Sequence, residues 1–141
     1  MASRLVLVMA AIIVPFSICQ GVVGDFRPRL SLIEHYCNNK AYATGDLFGT
    51  SVFYVLSDLA NKTPDKKGYE YRNKSPYPGY IVYGFGSCSK DLTAKACYEC
   101  LVSALITMLN ACPRKTGVHH KFQDCDLRYE TYEIVRRAYI F

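Results

Sequence analysis

Seven cysteines in 141 residues constrain this chain more than any other feature, and the compartment decides what they do. The first 24 residues, MASRLVLVMAAIIVPFSICQGVVG, place one early positive charge, Arg4, ahead of an apolar run from Leu5 to Ile18. That is the pattern of a secretory signal peptide, and the run is too short and too interrupted by proline to suit a transmembrane span. Cleavage between about residues 19 and 24 removes Cys19 and leaves Cys37, Cys88, Cys97, Cys100, Cys112 and Cys125. An even set in an oxidising compartment reads as three disulfides. About 117 residues remain, enough for one stapled domain with a modest core.

The stretch CSKDLTAKACYEC, Cys88 to Cys100, admits two other readings. A C-x2-C pair near a further cysteine can hold zinc, with Cys88 or Cys125 completing the ligands, but zinc needs thiolates that a secreted chain has no reason to keep reduced. A thioredoxin-like redox pair sits at a helix N-terminus after a βαβ unit. Here Cys97 and Cys100 lie inside the helical pattern, after Thr93-Ala94-Lys95-Ala96. The structural reading is therefore preferred, with no metal and no cofactor. Three apart on a helix, the two cysteines rise at different heights and can be tied to different neighbours. Cys97 pairs back to Cys88 in this reading, while Cys100 and Cys112 share Cys37 and Cys125; spacing does not choose among the fifteen connectivities.

Along the chain, Leu30–Tyr36 mixes β-branched, aromatic and polar residues and suits a strand ending at Cys37. Phe48, Val52, Val55, Leu56 and Leu59 recur at helical spacing behind a capping Asp46, predicting a helix over about Leu47–Ala60 with Pro64 beyond it. Tyr69–Arg72 and Gly79–Phe85 read as a hairpin around SPYPG. A second, more apolar helix follows Thr93 and stops before Pro113, and Val118–Gln123 and Asp126–Glu133 complete the strands. The order strand, helix, two strands, helix, two strands predicts an α+β domain with two helices covering one face of an antiparallel sheet. The domain is expected over residues 30–133, with 134–141, IVRRAYIF, as a short tail.

A net charge of +5, about +4 without Arg4, is a mild and scattered excess. Nucleic acid binding calls for a denser basic stripe with interleaved aromatics, and neither nucleic acid nor stable membrane insertion is expected. His119-His120-Lys121 invites an acid–base role, yet strand alternation sends His119 and Lys121 to one face and His120 to the other. Without a nucleophile elbow or a spaced carboxylate pair, the chain is not expected to be an enzyme. Asn61-Lys62-Thr63 and Asn73-Lys74-Ser75 are sequons, so Asn61 and Asn73 are candidate glycosylation sites, the second followed directly by Pro76.

The C-x8-C-x2-C stretch Cys88-Cys97-Cys100, preceded by YGFGS and followed by a helix, Cys112 and then Cys125 within FQDCDLRYE, resembles the plant cysteine-rich stress-antifungal domain. That domain forms secreted antifungal proteins of the ginkbilobin type, ectodomains of cysteine-rich receptor-like kinases and secretory repeat proteins. The resemblance covers about Ile33 to Glu133. It implies two helices on a five-stranded antiparallel sheet, with bridges Cys37–Cys112, Cys88–Cys97 and Cys100–Cys125. It also implies a mannose site built from an asparagine, an arginine and a glutamate, and growth inhibition of fungi through it. Counted from the matched cysteines, these positions are Asn38, His119 and Glu130, so histidine replaces the arginine and loses its fork of donors. The expectation is an extracellular, apoplastic, monomeric defence lectin whose partner is mannose or a fungal cell-wall glycan. The alternative is a recognition module for a protein or other ligand with a degenerate sugar site.

Overall fold

The computed structural model describes residues 27–135. The signal peptide assigned to residues 1–24 lies outside them, as does the tail beyond Val135. The elements run β1 (Leu32–Cys37), α1 (Leu47–Lys62), a 3-10 turn (Thr63–Asp65), β2 (Glu70–Lys74), β3 (Tyr83–Cys88), α2 (Ala94–Ala111), β4 (Val118–Phe122) and β5 (Cys125–Glu130). The strands form one sheet in the order β1-β4-β5-β3-β2, every neighbouring pair antiparallel. This is the expected α+β class, with two α-helices and five strands among the described residues.

Local chemistry sets the helix ends. The Asp46 carboxylate accepts from the Phe48 amide at 2.9 Å and the Thr93 hydroxyl from the Ala96 amide at 3.1 Å, each satisfying a donor that the first turn leaves open. Helix α1 runs two residues past the expected Ala60, because Pro64 enters a 3-10 turn near its start, where a missing N–H costs nothing. Strand boundaries shift for equally local reasons. Tyr69 adopts φ 51°, so β2 begins at Glu70 rather than Tyr69. The Ser75 hydroxyl donates to Tyr80 O and accepts from Val82 N, at 3.0 and 2.9 Å, which holds the SPYPG connection as a loop and delays β3 to Tyr83.

Both helices pack on one face of the sheet. The row Gly84, Gly86, Leu127, Tyr129, Val118 and His120 shares that face by register, opposite Val52, Val55, Leu56 and Leu59 of α1 and Leu101, Ala104 and Met108 of α2, all essentially buried. A Cβ at Gly84 would collide with Val55 Cγ1 and Asn73 Oδ1 and lie 2.8 Å from Leu59 Cδ1, so the missing side chain lets α1 settle onto β3. The disulfides stitch the layers together: Cys37–Cys112 joins β1 to the residue after α2, Cys88–Cys97 joins β3 to α2, and Cys100–Cys125 joins α2 to β5. The first closes a 75-residue separation and restricts the unfolded chain most, by about 4.5 kcal/mol on loop entropy.

Candidate functional site

Where β1 ends, β4 begins and β5 ends, three polar side chains meet. Asn38 directly follows Cys37, and its backbone amide donates to Gly117 O at 2.9 Å while its Nδ2 donates to the Thr116 hydroxyl at 2.8 Å. Its Oδ1 is buried and accepts no hydrogen bond. Glu130 closes β5 and is only 3% exposed. Its Oε1 accepts from Arg128 Nε and Nη2 at 3.1 and 3.0 Å, a charge-assisted pair that compensates burial of the carboxylate. Arg128 Nη2 also donates to the Tyr132 hydroxyl at 2.9 Å.

Gly117 is the floor between them. A Cβ there would run into Glu130 Oε2 and lie 2.9 Å from Asn38 Nδ2. Any larger residue would drive the carboxylate and the amide away from each other, so absence of a side chain makes the cluster possible.

His119 occupies a different place. On the sheet face turned away from the helices it stands opposite Tyr36 of β1 and Arg128 of β5. Its Nε2 lies 2.6 Å from Asp126 Oδ1, with Nδ1 4.0 Å from Glu34 Oε2. Asp126 precedes Arg128 on β5 and Glu130 follows it, so the imidazole is drawn along the strand away from Asn38 and Glu130. The guanidinium beside Glu130 comes instead from Arg128, the cross-strand neighbour of His119. Arg128 is not among the positions that the family resemblance implies. Its signal was the spacing R-x-E in DLRYE, which puts Arg128 and Glu130 on one strand face.

The HHK run does not assemble acid–base machinery. His120 is wholly buried on the helix face. Burial, then the neighbouring His35 and His119, pushes its pKa down to about 4 and keeps it neutral. Lys121 is exposed on the opposite face.

The two sequons part company. Asn61 lies exposed in the last turn of α1, its Nδ2 donating to Ser57 O at 2.8 Å. Asn73, expected as a second glycosylation site, is structural instead. Its Nδ2 donates inward to Val55 O at 3.0 Å and Asp58 Oδ2 at 2.9 Å, tying β2 to α1, and Ser75 of the same sequon is 1% exposed. In the folded domain that nitrogen is already spent on these two contacts.

The sequence profile described as Salt stress response/antifungal matches residues 36–132. Antifungal protein ginkbilobin-like protein 1 of Picea sitchensis is 27% identical over 109 residues, covering 76% of this chain and 81% of its own length. Antimicrobial ginkbilobin-2-like protein of Castanea crenata is 28% identical over 111 residues, 79% of this chain but 37% of its own. Cysteine-rich receptor-like protein kinase 6 of Arabidopsis thaliana is 24% identical over 108 residues, which are 16% of that protein. The chain thus spans most of the first relative and well under half of the other two. Among solved structures, the tandem DUF26 ectodomain of the Arabidopsis thaliana cysteine-rich receptor-like protein PDLP8 superposes with a TM-score of 0.67 at 22% identity, over 73% of this chain and 50% of that one. That likeness is one of fold.

Proposed function

From the premise that this chain belongs to the salt stress response/antifungal family, we propose that it is a secreted plant defence protein that binds a mannose-like carbohydrate and restrains fungal growth without covalent chemistry. The meeting of Asn38 and Glu130 over Gly117, with Arg128 held on the Glu130 carboxylate, carries the reading. An amide offering an unused acceptor, a carboxylate and a guanidinium are the donor and acceptor set that adjacent sugar hydroxyls require. Arg128 supplies the fork that His119 lacks, and the ligand exchanges its hydroxyls for the Arg128–Glu130 contact. Among the described residues no helix is long and apolar enough to cross a membrane.

Calorimetric titration of mannose and mannose oligomers tests this reading. Wild type binds; Asn38→Ala and Arg128→Ala each lose about 10- to 100-fold, the weight of a hydrogen bond to a charged or buried partner; His119→Ala retains affinity. Equal and negligible binding by wild type and all three variants sinks the lectin reading. The second reading, a recognition module for a protein ligand, is favoured by one observation: Glu130 is 3% exposed and already held by Arg128. In that case wild type shows no sugar response, and substitutions at Asn38 affect stability only.

A further inference from the structure

Four ligand-type side chains converge at the Cys37–Cys112 bridge. His35 Nε2 lies 3.6 Å from Cys37 Sγ, and His120 Nε2 lies 3.6 Å from Cys112 Sγ, so each sulfur has its own imidazole. The two histidines are direct partners across β1 and β4, with ring centroids 4.5 Å apart. Donor atoms of His35, Cys37 and Cys112 all fall within 4.8 Å of one another, and His120 stands outside that group, against the Cys112 sulfur. Two sulfurs and two imidazole nitrogens are a complete set for tetrahedral zinc. Bonds of about 2.3 Å to sulfur and 2.0 Å to nitrogen at tetrahedral angles separate S from N by about 3.5 Å, the spacing that both pairs already have.

His120 supplies a second, independent observation. It is 0% exposed at a strand position whose cross-strand partner is Leu127, and its Nδ1 finds no hydrogen-bond partner. A leucine or phenylalanine there would bury no orphaned polar atom. The other two bridges have no comparable company, since the third histidine of the chain, His119, is engaged by Asp126. Access is through one end: Cys112 is buried, but Cys37 is partly exposed beside the exposed His35, whereas Cys88, Cys97, Cys100 and Cys125 are all buried.

We propose that opening the Cys37–Cys112 disulfide converts it into a Cys2His2 zinc site formed by His35, Cys37, Cys112 and His120. A dithiol reductant supplies the two electrons. Its two sulfurs join in a cyclic disulfide as the Sγ–Sγ bond breaks, and its two protons end on Cys37 and Cys112. Zn2+ then releases both thiol protons to solvent, leaving two thiolates and two neutral imidazoles around the ion with no net charge. The metal replaces the covalent staple between β1 and the end of α2. Asn38, the residue after Cys37, is thereby held by a bridge whose nature depends on redox state and zinc supply.

The test uses the folded mature chain. Limited dithiothreitol is applied, alkylation and peptide mass mapping identify the bridge that opens, and the reductant is removed anaerobically before titration with Co2+ and then Zn2+. The expected result is preferential opening of Cys37–Cys112 and one Co2+ per chain with tetrahedral visible bands and thiolate charge transfer. Zn2+ displaces it, and the oxidised protein shows none of this. His35→Ala and His120→Leu each weaken Zn2+ binding by at least about tenfold. His35 is exposed and its removal leaves the core intact, so this variant decides the matter if His120→Leu folds poorly. Unchanged affinity in His35→Ala, or metal held by Cys88, Cys97, Cys100 or Cys125, overturns the proposal.

Discussion

Replacing Gly117 by alanine sets one methyl group against the Glu130 carboxylate. The backbone at Gly117 is outside the left-handed region, so the substitution carries no conformational penalty and its effect is steric. The new Cβ would overlap Glu130 Oε2, lie 2.9 Å from Asn38 Nδ2 and 3.1 Å from Glu130 Cδ. Ordinary contact requires the carboxylate to retreat by about an ångström, and the Arg128 bonds at 3.0 and 3.1 Å then pass out of hydrogen-bonding range. Overpacking costs about 1–3 kcal/mol and loss of a charge-assisted bond about 1.5–3, so a destabilisation of about 3–5 kcal/mol follows. For a domain of about 100 residues that lowers Tm by roughly 12–25 °C. The assay is thermal and urea unfolding with the disulfides intact, performed as a double-mutant cycle with Glu130→Ala. Truncating the glutamate removes the larger obstruction and leaves only the Asn38 amide to give way, so Gly117→Ala costs about 1 kcal/mol in that background and the coupling is about 2 kcal/mol or more. An equal loss in both backgrounds would refute the placement of Glu130 against Gly117.

Other outcomes follow from single contacts. Gly84→Ala pushes α1 off β3 against Val55 and Leu59 and costs about 3 kcal/mol by urea unfolding, with no effect on sugar titration beyond lost folding. Arg29 hydrogen-bonds the Asp124 side chain at 2.9 Å and holds that carboxyl below its usual pKa. Because the folded value is the lower one, the contribution is complete above the ordinary carboxylate value of about 3.9 and disappears as pH falls through the folded value. Wild type is therefore more stable than Arg29→Ala at neutral pH, and the two urea midpoints converge on acidification; a constant gap down to pH 2 contradicts the assignment. In a plant-secreted preparation, intact-mass analysis before and after amidase treatment finds a glycan at Asn61 and none at Asn73, whose nitrogen lies under α1. Asp46→Ala removes the α1 cap and costs about 1 kcal/mol.

Much of the architecture was legible because its signals are local. Periodicity located α1 and α2, Asp46 and Thr93 marked their starts, and alternation separated His119 from His120. An even cysteine set, given the leader expected over residues 1–24, implied a stapled domain, and the order of the elements implied two helices on an antiparallel sheet. Strand edges were misplaced where one residue's conformation or one hydroxyl mattered, as at Tyr69 and Ser75, since such bonds leave no periodic trace. The family resemblance pointed to Asn38 and Glu130 as expected ligand positions, counted from the matched cysteines. It could not show that Asp126 draws His119 away, that Arg128 takes the place beside Glu130, or that Asn73 faces inward. Nor could it show two histidines 85 residues apart flanking one disulfide. These facts depend on strand register and on the depth at which a helix settles, properties of contacts distant along the chain. Local sequence determines which elements form and which faces they bury; only tertiary packing decides which polar groups meet.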